Sequence, residues 1–389
     1  MIPEVYDGRE HQLVKHKLLE EYLMRLFMIL GKMESSICFI DCFAGPWSSQ
    51  DEDLKDTSIG IAYNLMKKCR NGLYKSFNRK VKFRALFVEK TDSAYEKLKC
   101  YCSEKSCNSI ELDCYHGEFY DLRSDILNWC GDKDFAFFFI DPTGWKNVIE
   151  IPTIKPLLQR PRSEFLINMM FSFLIRVISQ ERHSEDIYAI FGEVPDISSM
   201  TTDQKESYLL YRYRENAKAV FSSTGDKPRS AYVKVEHASK SGTKYDLVYF
   251  TRSPLGIKVF MEVSEKLDWI QRSMKAEVQQ RERIQKSGQL ELFPTRTALN
   301  THSSKRPDIE KVKNYWMRKL SKKYAHFGIE ELADMLEETG WFITDFQNAF
   351  KQLEKEGLVD NSDSKRIRPK HPIHFNANFG RGELLRKMC

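Results

Sequence analysis

The chain has 389 residues, 41% of them hydrophobic and 30% charged, with a formal net charge of +6. That length exceeds one comfortable core and implies two or three domains, and no stretch approaches the roughly 18 apolar residues of a membrane span. The start, Met-Ile-Pro-Glu-Val-Tyr-Asp, lacks the basic head and apolar middle of a signal peptide, so a cytoplasmic protein with reduced thiols is expected.

Leu18, Leu19, Tyr22, Leu23, Leu26, Phe27 and Leu30 recur at helical spacing and predict a helix over 10–33, stopped at Gly31. A short apolar run at 37–42 is the first strand, and 59–68 is helical. Strands follow at 81–89, 110–116, 135–141 and 164–170, with a helix over 92–101. These strands are near-continuous apolar runs, the signature of a parallel sheet covered on both faces. The segments 231–237 and 245–251 flank a turn at Lys240-Ser241-Gly242-Thr243 and predict an antiparallel hairpin, followed by a helix over 255–283. Five parallel strands closed by a hairpin give the expected fold of residues 1–285: α/β, a class I methyltransferase-like Rossmann domain.

Residues 286–307 are polar, hold Gly288, Pro294 and Pro307, and form the expected linker. Beyond it come a basic helix over 315–324, a helical segment at 329–336, a turn at Glu338-Thr339-Gly340 and a helix over 344–356. Strand, turn and strand are expected at 358–359, 360–364 and 365–368, which makes 308–389 a C-terminal winged helix-turn-helix domain. In its second helix Phe346, Ala349, Phe350 and Leu353 form the buried stripe, leaving Gln347, Asn348, Lys351, Gln352 and Lys355 outward. Residues 300–389 hold 17 Lys+Arg against 13 Asp+Glu. Lys351 and Lys355, with Lys365, Arg366, Arg368 and Lys370 of the wing, can contact DNA or RNA phosphates. The acids Asp345, Glu354 and Glu356 on the same helix keep a protein partner open.

Four strand ends carry suitable chemistry. Asp41-Cys42-Phe43-Ala44-Gly45-Pro46 ends the first strand in a small-residue turn that lets a cofactor approach backbone. Glu89, some forty-eight residues after Asp41, ends the second and can accept ribose hydroxyls, or is a solvated loop acid. At the third, Glu118 and Phe119 either hold and stack an adenine or serve as helix cap and core. The fourth delivers Asp141-Pro142-Thr143-Gly144-Trp145-Lys146. This run resembles the Asp-Pro-Pro-aromatic motif of amino-methyltransferases, with Thr143 for the second Pro and the aromatic one residue late. The resemblance implies that Asp141 and the Pro142 carbonyl hold a target amine while Trp145 stacks on its ring, the alternative being an ordinary turn and a core Trp. Asp141 is expected to be replaceable by Ala without harm to the fold. Cys100, Cys102, Cys107 and Cys114, near His116, match no common zinc spacing, so no metal is expected.

On these residues the chain resembles the three-Cys-motif partner proteins, a bacterial group with a methyltransferase-like fold. The likeness spans 10–285 and rests on Lys15-His16, Asp41 to Pro46 and Asp141 to Lys146. It continues through Pro161 to Met170, Ser253 to Met261, and Trp269. It implies a partner with a three-cysteine motif of the iron–sulfur kind. Two departures stand out: the family has Gly where Trp47 stands, and Gly-Ser-Pro where Thr57-Ser58-Ile59 stands. Lys15 and His16 either close over the cofactor pocket or form the polar face of the first helix. In the linker, Gln289-Leu290-Glu291-Leu292-Phe293 resembles a bacterial sliding-clamp-binding pentapeptide; its Leu and Phe otherwise pin the linker to the core. The expected activity is S-adenosylmethionine-dependent methyl transfer to nucleic acid. The alternatives are a methyltransferase-like binding protein without turnover, consistent with Trp47, and a hydrolase or nuclease using Asp141.

Overall fold

A computed structural model of the chain describes residues 6, 8–45, 54–221, 227–239, 242–287, 306–364 and 371–388. Pro46, Trp47, Lys240, Ser241, the Gln289–Phe293 motif, Lys365, Arg366, Arg368 and Lys370 lie outside them. Two compact units divide the chain, Met1–Arg252 and Ser253–Cys389.

The first unit runs α1 (Glu10–Leu30), β1 (Ser36–Asp41), α2 (Ser58–Phe77), β2 (Lys82–Glu89), α3 (Asp92–Lys105), β3 (Ile110–His116), α4 (Phe119–Cys130), β4 (Phe135–Ile140), α5 (Ile151–Leu158) and β5 (Ser163–Met169). After these come α6 (Phe171–Val177), α7 (Ser184–Phe191), α8 (Thr202–Phe221), β6 (Arg229–Glu236) and β7 (Thr243–Thr251). Seven strands form one sheet in the order β3-β2-β1-β4-β5-β7-β6. β1 to β5 are parallel to one another, and β7 is antiparallel to both β5 and β6. The apolar runs and the hairpin thus produce the sheet they predict. Helices α6, α7 and α8 are an addition that the strand pattern does not anticipate.

Alternation along the strands explains why both faces are buried. Cys38, Ile40, Phe138 and Ile140 pack into one core with residues of α4, α5, α7 and α8. On the other face Phe39 stacks on Phe137, Tyr22 of α1 meets Phe137, and Phe27 meets Phe83. α1 is pinned there by a buried network: the Tyr22 hydroxyl donates to Glu164 Oε2 (2.7 Å) and contacts the Tyr249 hydroxyl, while Thr251 donates to Glu164 Oε1 (2.8 Å). Burial raises the Glu164 carboxyl above its usual range. α2 starts on Thr57, whose hydroxyl accepts from the Gly60 amide. Gly31 lets α1 and α2 close up, since a Cβ there would stand 2.2 Å from Leu73 Cδ1.

The second unit holds α9 (Pro254–Ser287), α10 (Ile309–Lys319), β8 (Ala325–Phe327), α11 (Ile329–Thr339), α12 (Ile343–Lys355), β9 (Val359–Asn361) and β10 (Glu383–Lys387). Its three antiparallel strands lie in the order β8-β10-β9. Trp316 is fully buried, bonds Phe346 O through Nε1 (3.0 Å) and contacts the rings of Phe327, Phe346 and Phe350. Arg306 ties α12 to α9, donating to Asp345 and to Glu265 (2.8 Å each).

β9 pairs with β10, and the strand expected at 365–368 lies outside the described residues. One expectation changes here. Gln347 is buried, not outward: its amide donates to Ile373 O (2.8 Å) and accepts from Ile373 N (3.0 Å). A neighbouring chain segment with unpaired backbone groups covers the helix face that the periodicity left polar, and a primary amide satisfies both groups. No helix among the described residues is long and apolar enough to cross a membrane.

Candidate active site

β1 and β4 lie side by side, and their carboxyl ends form the edge where an α/β sheet of this kind takes ligands. Asp41 ends β1 fully buried. Its Oδ1 accepts from the Phe43 amide (3.1 Å) and its Oδ2 from the Ser58 hydroxyl (2.6 Å), so the carboxylate folds the loop back onto the start of α2. The Ala44 amide bonds Val88 O and the Cys42 amide bonds Phe139 O (2.9 Å each), which holds the loop between β2 and β4. Gly45 adopts φ +77°, and among the described residues a Cβ built there would meet nothing nearer than Phe43 O at 3.8 Å. Backbone there is open to a close ligand.

Burial pushes the Asp41 carboxyl up from 3.8 to about 6, against the pull of its bonds to Ser58 and Phe43. The fold therefore favours neutral Asp41. That contribution is complete below pH 3.8 and is lost as pH rises through 6. Relative to Asp41→Asn, the wild-type protein is expected to lose up to about 3 kcal/mol across that window. The check is the urea midpoint of both proteins from pH 4 to 7, and a constant difference would contradict the assignment. Taking the difference removes His11 and His16, which burial lowers to about 4 and which act oppositely: their contribution is present above pH 6.5 and lost as pH falls through 4.

Glu89 is buried at the end of β2 and accepts the Thr91 amide through Oε1 (2.7 Å). Glu118 is exposed and contacts Lys90 (3.4 Å). Phe119 is buried against Phe43, with ring centroids 5.2 Å apart. Cys100 and Cys107 are exposed thiols and Cys102 is a buried one. Among the described residues no group of three or more His, Cys, Asp or Glu side chains lies close enough to hold a metal ion.

The Asp141 carboxylate follows β4 and faces the protein. Oδ2 pairs with the Lys15 ammonium of α1, and Oδ1 accepts from Asn168 Nδ2 of β5 at 2.7 Å. Lys15 is 7% exposed, so α1 reaches across this edge of the sheet. His11 and His16 anchor it: the His11 carbonyl accepts from the Tyr245 hydroxyl (2.7 Å), and His16 Nδ1 contacts the Tyr6 hydroxyl (3.0 Å). The loop 143–149 is set by buried Glu150, which accepts the amides of Asn147 and Val148 (2.7 and 2.8 Å). Trp145 is half-buried between Phe173 and His183, and Lys146 pairs with Asp186 (3.4 Å).

Beside Asp141 lies a cavity of about 60 Å³, lined by Thr143, Gly144, Trp145, Ile149, Asn168, Met170, Phe173 and Leu174. Asn168 is one of the lining residues, and its Oδ1 is buried without a hydrogen-bond partner among the described residues. Such an orphan acceptor is costly unless something donates to it. Asn168 sits inside an apolar strand, and the sequence gives it no site signature. The one available signal is a polar residue at a strand position otherwise buried on both faces.

The strand order with its single reversed strand next to β5, and the polar groups gathered at the carboxyl ends of β1, β4 and β5, define a Rossmann-like methyltransferase fold. No family model matches the sequence, and no curated protein matches it. Solved structures similar to it include the following three. A Legionella pneumophila protein of the family DUF519 is 10% identical, over 67% of this chain and 92% of that one, with a TM-score of 0.38. PKMT2 of Rickettsia typhi is 10% identical over 62% and 56%, with a TM-score of 0.27. A loganic acid methyltransferase solved with SAH is 11% identical over 88% of both chains, with a TM-score of 0.24. Scores this low carry no argument, and the class rests on the strand order itself.

Proposed function

We propose that the chain is an S-adenosylmethionine-dependent methyltransferase that methylates an amino group of nucleic acid. The observation that carries this is Asn168, which is bonded to Asp141, lines a small cavity at the carboxyl end of the central strands, and has an Oδ1 without a hydrogen-bond partner among the described residues. Phe43, Ala44, Gly45 and Glu89 are the residues suited to hold the cofactor, and open backbone at Gly45 fits that role. The cofactor, when bound, supplies an electrophilic methyl group.

This chain's own residues would do the rest. An amine entering the cavity would hydrogen-bond through one N–H to Asn168 Oδ1, with the Pro142 carbonyl as a further acceptor at the strand end, and the proton it sheds on methylation would pass to bulk water. Hydrogen bonds accepted from N–H fix the nitrogen lone pair in one direction and support the positive charge that develops on nitrogen. Asn168 is itself oriented by Asp141, and Asp141 by Lys15, so the three form a positioning chain from α1 to the amine. Trp145 and Phe173 wall the cavity against water.

A winged-helix reading of the C-terminal unit supports a nucleic-acid substrate. Its helix, strand, helix, helix, strand, strand order and the exposed Lys355 suit groove or backbone contact. Membership of the three-Cys-motif partner family, and with it an iron–sulfur partner, rests on the motif residues alone, as does clamp binding through Gln289–Phe293. A second reading, binding without turnover, is favoured by one fact: both Asp141 oxygens are already engaged by protein donors. Calorimetry with S-adenosylmethionine separates the two. Saturable heat is expected; its absence from folded protein leaves only the binding reading.

A further inference from the structure

At the opposite edge of the sheet the amino ends of β1, β2 and β3 border a cleft of about 400 Å³. That is the size range of small-molecule sites. Its lining comes from Ser35, the α2 residues Arg70, Asn71 and Tyr74, the turn Arg79-Lys80-Val81-Lys82, and Asn108-Ser109. Four cations line it and no carboxylate does.

The charges are differently occupied. Lys82 pairs with Glu111, which also holds Arg84. Arg79 spends its donors on the carbonyls of Gly31, Met33 and Glu34, and these leave its charge uncompensated. Arg70 and Lys80 are exposed and have no ion pair among the described residues. Complementarity to a helix end does not explain Arg70, which lies two turns before the end of α2, beyond the reach of that effect. Cys107, beside the cleft, is held below the ordinary thiol range chiefly by its hydrogen bonds with Ser109, with Arg70 the smallest contributor. Tyr74 is 53% exposed and offers a ring face at the same cleft.

Uncompensated cations, an open aromatic face and neutral hydrogen-bonding groups in one concavity match one ligand chemistry. We infer that this cleft binds a nucleoside phosphate. Arg70 and Lys80 take the phosphate, Tyr74 stacks the base, and Asn71, Asn108 and Ser109 meet the sugar or base edge. The source is a free nucleotide or a terminal nucleotide of a strand. The site lies on the edge away from Asp41 and Asp141, so it stands whether or not the methyl-transfer reading does.

The test titrates the full chain with 5′-AMP, adenosine, inorganic phosphate and a 5′-phosphorylated oligoadenylate, alongside the variants Arg70→Glu/Lys80→Glu and Tyr74→Ala. All three positions are exposed, and circular dichroism checks the fold. Saturation by 5′-AMP or by the oligonucleotide is expected, weakened at least about tenfold by the charge reversal. Tyr74→Ala is expected to weaken the same ligand several-fold while leaving inorganic phosphate unaffected. Equal affinity for 5′-AMP and the oligonucleotide assigns the site to free nucleotide; tighter oligonucleotide binding assigns it to a strand end. Failure of both to saturate near about 5 mM, or binding that neither variant weakens, overturns the inference.

Discussion

Replacing Asp141 with Ala is expected to stop methyl transfer and also to lower the thermal midpoint by about 10 °C. Sequence alone makes this substitution a clean knock-out; the pair with Lys15 changes that. The Lys15 side chain is 8% exposed, and its ammonium has Asp141 as partner. Truncating the acid leaves a buried cation unpaired, at a cost of about 3 kcal/mol. For a unit of this size each kcal/mol moves the midpoint by about 3 °C. Exchanging both partners for neutral groups of like shape, Lys15→Met with Asp141→Asn, is expected to regain most of the stability and none of the activity. Calorimetric scans of the two singles and the double give the coupling directly. Additive losses would show that Lys15 and Asp141 do not depend on each other.

Trp316→Ala is expected to cost the C-terminal unit about 4 kcal/mol, a sizeable part of the stability of an ordinary domain. The indole is wholly buried among Phe327, Phe346 and Phe350, and its N–H is bonded to Phe346 O. Its removal opens a cavity and takes away the indole donor that ties α10 to α12. Hydrogen exchange reads the result: amides of α10, α12, β8 and β10 lose protection. Unchanged protection in these elements would show that the unit is not built on this residue.

The parallel sheet was legible because strands buried on both faces are written as unbroken apolar runs, such as Phe135 to Ile140. The hairpin was legible because two β-rich runs flank a polar turn. Asp41, Glu89 and Asp141 could be found as acids at strand ends. Their partners could not. Lys15 meets Asp141 across 126 positions, and nothing in a helix pattern marks one lysine as buried. Asn168 is concealed within Phe165 to Met170. The contact of Phe119 with Phe43 across 76 positions is likewise unmarked in the sequence. Gln347 reads as surface until the chain at Ile373 lies over it. Strands as short as β8 leave no period to detect.

The most direct measurement supplies labelled S-adenosylmethionine and DNA or RNA, then hydrolyses the nucleic acid to nucleosides and locates the label. It is run with the wild-type protein and with Asn168→Leu, which removes the orphan acceptor in a residue of similar size. The account expects label on an exocyclic amino nitrogen with the wild-type protein, and its loss in a variant that still binds the cofactor. Label at a ring carbon or on no nucleoside, or transfer that Asn168→Leu leaves intact, would contradict it.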